Sequence, residues 1–147
     1  MISFQGGIDD FMKTYKDQYE AQIEPQLQQI DIFLKTKRPP YSIDSTAKLL
    51  HISAQEVKKI MKEESLSKID RQSFFMIMKK GSSTICHLFS RELFCGTPKY
   101  YTVEAISYIY NIDVAVVLEA SQKMGMSQFS PESMKTLFCF IPPQTIQ

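Results

Sequence analysis

The sequence predicts an all-α protein in which an N-terminal amphipathic helix precedes two tandem repeats, each with a minimal extended step. Two observations predict this. Apolar residues near the start recur every three or four positions, and residues 41–78 overlay residues 101–138 at an offset of sixty without a gap. The expected boundaries are an N-terminal helical arm over 1–25, a first repeat over 26–82 and a second over 83–147.

The overlay is mainly one of pattern. Five positions are identical: Tyr41/Tyr101, Ile52/Ile112, Val57/Val117, Ser67/Ser127 and Ser73/Ser133. Apolar positions stay in register throughout, as Ile43/Val103, Leu49/Ile109, Ile69/Phe129, Phe74/Met134 and Ile77/Leu137 show. Sustained agreement in apolar spacing and in turn residues points to duplication of one structural unit.

In the arm, Phe11, Tyr15, Tyr19, Ile23, Leu27, Ile30 and Leu34 form an apolar stripe, and Pro25 inside it should kink or divide the helix. The stripe packs on the chain's own core or serves as a dimer arm. Residues 26–37, ending at Pro39-Pro40, form the lead helix of the first repeat. Asp44 is expected to cap a short helix through Ala47 and Leu50, with a break at His51-Ile52. Ser53-Ala54-Gln55-Glu56 fits a capping box, in which the Glu side chain returns to the Ser amide. The next helix buries Val57, Ile60 and Met61. Leu66 to Ile69 reads as extended, and Asp70 caps a closing helix through Phe74 and Ile77. In the second repeat, Thr102 or Glu104 starts the first helix, Asp113 caps the second, and Ser130-Pro131 opens the last, with Pro where its missing N–H costs nothing. Ser83 to Cys95 is expected to be the lead helix of that repeat, closed by Gly96 and Pro98.

The run Tyr41-Ser-Ile-Asp-Ser-Thr-Ala47-Lys-Leu-Leu50-His-Ile52-Ser53, followed by Val57 and Ile60, resembles the helix-turn-helix of MerR-like and excisionase-like DNA-binding modules over about 25 residues of each repeat. The resemblance implies that Ala54 to Glu63 is a recognition helix for the major groove. The usual two-stranded wing is reduced here to Leu66-Ser67-Lys68-Ile69.

Charge is distributed unevenly. Residues 1–33 carry two basic and six acidic groups, residues 34–80 eleven and five, and residues 81–147 four and five, although the whole chain is only +1. The candidate nucleic-acid contacts are therefore Lys37 and Arg38 before the first repeat, Lys48, Gln55, Lys58, Lys59 and Lys62 on its helices, and Lys68 and Arg71 after them. A solvated lysine face is the alternative. Lysine suits phosphate, whereas bidentate base reading favours Arg, Asn or Gln, of which the recognition helix offers only Gln55. In the second repeat Tyr108 replaces Lys48, Val116 replaces Glu56 and Leu118 replaces Lys58. That greasier face is either buried in the chain or is a partner interface.

Other classes find little support. Cys86, Cys95 and Cys139 are odd in number and irregular in spacing, so they read as buried thiols and not as a disulfide framework. No tight Cys or His pair offers a zinc site, and no cofactor is expected. His51 and His87 fall in different parts of the repeat, and no phosphate loop, dinucleotide fingerprint or Ser-His-Asp signature points to an enzyme. No apolar run approaches a membrane span and no secretory signal opens the chain, so a cytoplasmic location is expected. Two functions compete. One is a regulator that holds double-stranded DNA with the first repeat and makes homodimer or partner contacts with the second repeat or the arm. The other is a non-enzymatic protein-binding adaptor or inhibitor, of phage or mobile-element type, on the same scaffold.

Overall fold

The computed structural model describes residues 12–145 and is mostly helical; Phe11 of the predicted stripe lies outside the described residues. The helices are α1 (Tyr15–Gln22), α2 (Glu24–Thr36), α3 (Ile43–Leu50), α4 (Ala54–Glu63), α5 (Arg71–Lys80), α6 (Thr84–Phe94), α7 (Val103–Tyr110), α8 (Val114–Met124) and α9 (Pro131–Phe138). Two short strands, β1 (Tyr101–Thr102) and β2 (Gln128–Phe129), pair antiparallel. The chain forms two compact units. One is continuous, Glu24–Phe94, and the other joins residues 12–23 to residues 95–145.

In the continuous unit, Pro25 does divide the arm, because it sits in the first turn of α2, where no N–H is required of it. Ile30 and Leu34 on this helix are buried. Ser42, not Asp44, caps α3: its Oγ accepts from Ser45 N at 3.0 Å, and Asp44 lies in the first turn. The helix ends at His51 in the left-handed region, φ 56°, and the Ile52 N–H closes the turn onto Ala47 O at 3.1 Å. Ser53 then caps α4 by accepting from Glu56 N at 3.0 Å. Only this half of the expected box forms. The Glu56 carboxylate instead accepts from Ser82 N and from Ser82 Oγ, both at 2.8 Å, which ties the start of α4 to the short link between α5 and α6. Val57 and Ile60 are buried, and Met61 is half-buried.

After α4 the chain again turns through a left-handed residue, Ser65 at φ 56°, with Leu66 N donating to Met61 O at 2.8 Å. The extended step returns Ile69 beside Tyr41, where Tyr41 N donates to Ile69 O at 2.8 Å. Asp70 caps α5, accepting from Ser73 N at 2.8 Å. Helix α6 then folds back on α5, an arrangement that depends on Gly81. A Cβ there would stand 2.5 Å from Cys86 Sγ and 3.2 Å from Cys86 Cβ. Phe75 and Phe89 stack across this hairpin, with ring centroids 5.8 Å apart. The helix expected to lead the second repeat is thus packed on the closing helix of the first, and the expected boundary at 82/83 moves to 94/95.

The discontinuous unit has the same punctuation. Thr102 caps α7, Asn111 at φ 55° ends it, and Ile112 N donates to Ser107 O at 3.1 Å. Asp113 caps α8, and Gly125 at φ 67° ends it, with Met126 N donating to Ser121 O at 3.2 Å. Tyr101 pairs with Phe129, and Ser130 with Pro131 opens α9. Helix α1, capped by Thr14 with a full capping box to Asp17, belongs to this unit because its aromatic side chains meet Phe138 and Tyr110. Tyr15 N donates to Ile141 O at 2.7 Å, and the buried Gln18 amide both accepts from Gln144 N and donates to Gln144 O. The arm's apolar stripe is therefore shared between two cores, Tyr15 and Ile23 in one and Ile30 and Leu34 in the other.

The cysteines divide, against the expectation of three buried thiols. Cys86 is buried, Cys95 half-buried and Cys139 exposed, because Cys139 follows α9 on its wet side; all three are free thiols. Burial pushes the Cys86 thiol up from its ordinary value against the pull of its hydrogen bond with Ser83.

The two glycines predict contrasting defects. Gly81→Ala should cost about 1 to 3 kcal/mol through overpacking against Cys86. Gly125→Ala meets nothing within 4 Å, and should cost about 1 kcal/mol through its positive φ alone. Urea unfolding compares them. The Ser73 hydrogen bond also holds the Asp70 carboxyl below its ordinary value, so its contribution is full above the usual carboxylate range and is lost as pH falls through the lowered value. Thermal melts across pH should therefore show a shallower acid decline for Asp70→Asn.

Candidate nucleic-acid interface

Helix α4 owes its two faces to spacing. Val57 and Ile60 are buried, while Gln55, Lys58, Lys59 and Lys62 are all exposed. At 3.6 residues per turn these four side chains span an arc of about 100° on the side away from the core. Ten residues make a rod about 15 Å long, a size that suits a groove about 12 Å wide. Lys48 on α3 and Lys68 in the extended step are also exposed, as are Lys37 and Arg38 after α2. Among the described residues, ion pairs join Lys16 to Glu20, Lys35 to Asp31 and Lys123 to Glu119. None engages a lysine of α4, so their charge is not cancelled by direct pairing.

Arg71 differs from the other candidates. One Nη donates to Leu34 O at 2.8 Å, at the C-terminal end of α2, where a cation meets unsatisfied carbonyls. Its guanidinium is committed in part to holding α2 against α5. Lys35 is likewise partnered, at 2.8 Å from Asp31.

Beside the lysine face lies an open groove of about 520 Å³, lined by Gln55, Glu56, Lys59, Glu63, Lys80 and Ser82 among others. It forms because the Glu56–Ser82 bonds draw the end of α5 to the start of α4. Lys80 lies twenty-one positions beyond Lys59 and was not among the sequence-derived contacts. Its signal was present in the Lys79-Lys80-Gly81 run, but only the helical hairpin places one of those lysines beside Lys59.

Comparison with protein-family models, with curated proteins and with solved structures finds no match to the chain. Its chemistry is therefore read from its own side chains. Among the described residues, no group of three or more His, Cys, Asp or Glu is placed to hold a metal ion, and no helix is long and apolar enough to cross a membrane.

The corresponding surface of the other unit is apolar. Tyr108 and Leu118 are each 47% exposed, whereas Val116 is half-buried. Val114, one turn before Leu118, is 49% exposed and extends the patch; no exchange of charge marks it in the sequence, because its counterpart is Ala54.

The two kinds of cation should separate on mutation. Arg71→Ala should lower stability by about 1 kcal/mol, the size of one partly exposed charged hydrogen bond, whereas Lys58→Ala should leave stability within about 0.5 kcal/mol. Chemical denaturation of the two variants measures this.

Proposed function

We propose that the chain is a DNA-binding regulator built from two copies of a helix-turn-helix unit, and that the continuous unit carries the duplex-binding surface. The observation that supports this most is the face of α4: Gln55, Lys58, Lys59 and Lys62 exposed together, unpaired by acids, opposite a buried Val57 and Ile60. The duplication is supported by left-handed residues at matched positions, His51 with Asn111 and Ser65 with Gly125. In this reading α4 lies in the major groove, and its lysines and Lys48 neutralise phosphates while Gln55 reaches a base edge. Lys37, Arg38 and Lys68 add weaker contacts around it, and Arg71 braces the fold. The protein works in the cytoplasm.

The second unit makes the protein contact, to a second copy or to another chain. Exposed Tyr108, Val114 and Leu118 support this role, because aromatic and aliphatic groups left in water are what an interface recovers. The same patch supports the alternative of a non-enzymatic adaptor, in which that contact is the main activity.

Binding to mixed-sequence duplex DNA across a salt series tests the proposal. About four lysine–phosphate contacts predict a log–log slope near −4. Lys58→Glu with Lys59→Glu should abolish binding at an unchanged melting temperature. A wild-type chain that leaves duplex DNA unbound at about 50 mM salt would favour the adaptor.

A further inference from the structure

We infer that the groove between α4 and the end of α5 seats a backbone phosphate of the duplex, with Lys80 as a contact beyond the lysines of α4. The inference rests on the DNA-binding reading and adds a site to it. Lys59 and Lys80 come from different helices yet line the same open groove, and both are exposed. Neither lies within ion-pair distance of a carboxylate among the described residues. A rod-shaped polyanion beside α4 would meet this edge of the unit, because phosphates flank a groove-bound helix on both sides.

The two carboxylates of the groove play different parts. Glu56 has both oxygens occupied by Ser82, each at 2.8 Å, so it acts as a tether that fixes the spacing between α4 and α5. Glu63 is exposed, has no such partner, and lines the groove one turn beyond Lys59. Its charge opposes an anion there. Removal of that charge therefore strengthens phosphate binding, an effect opposite in sign to the loss of Lys80. Lys79, on the same turn as Lys80, is exposed but does not line the groove. It is the natural control for general charge.

The test is fluorescence anisotropy of the full chain on mixed-sequence duplex DNA between about 50 and 200 mM salt. Lys80→Gln should make the log–log slope shallower by about one, so that the wild-type advantage shrinks about threefold across that range. The loss should be the same on duplexes of different sequence, as phosphate contacts require. Lys79→Gln should change the slope less, and Glu63→Gln should tighten binding. All three residues are exposed, and matched melting temperatures confirm that the fold is intact. If wild type binds and the Lys58/Lys59 variant does not, but Lys80→Gln behaves like wild type or like Lys79→Gln, the groove is not a phosphate seat and the role of α4 stands. If wild type fails to bind duplex DNA at low salt, the reading beneath this inference falls, and the groove site falls with it.

Discussion

The backbone turn that separates each pair of short helices governs the architecture on either side of it. At His51 and at Asn111 the chain enters the left-handed region, and the next N–H, from Ile52 or Ile112, reaches back five residues to close the helix. A cap side chain, Ser53 or Asp113, then starts a new helix at once. A left-handed residue costs a side-chain-bearing amino acid about 1 to 2 kcal/mol, and asparagine and histidine are among those seen there more often. Nothing in the interval is free to vary in length, so the second helix leaves the turn in a fixed direction. That direction decides which residues of α4 and α8 meet a core and which meet solvent.

Much of this was legible in the sequence. The break at His51-Ile52, the caps at Ser53, Asp70, Asp113 and Ser130, and the split at Pro25 are local events, written in residues that bond to their own neighbours. Most of the misassigned features were non-local. Ser42 displaced Asp44 because the helix begins earlier than its acidic position implied. Glu56 left its box because Ser82, twenty-six residues away, offers two donors. The helix Thr84–Phe94 joined the unit before it because Gly81 permits a close return. The exposed face of α4 was predictable from period alone, but the addition of Lys80 and the commitment of Arg71 required knowledge of which helix ends meet.

The two units carry opposite surfaces on helices that have similar caps and turns. Several buried positions stay aliphatic in both, as the identical Val57 and Val117 and the pair Ile77 and Leu137 illustrate, because a core excludes unpaired charge. Solvent-facing positions carry no such restraint, and there Lys58 is answered by Leu118 and Lys48 by Tyr108. Surface chemistry can thus differ at small cost to stability, and the two units are alike more in their caps and turns than in residue identity.

The clamp between Gln18 and Gln144 joins segments 126 positions apart. It makes one unit a composite whose pieces bracket the other in the order of synthesis. A ribosome reading this message releases Glu24–Phe94 whole while the strands, helices and tail that finish its neighbour have yet to emerge. Helix α1 must wait through that interval with Tyr15 and Tyr19 uncovered. Helix α1 is thereby made early and housed late, and the charged unit is complete ahead of the greasy one.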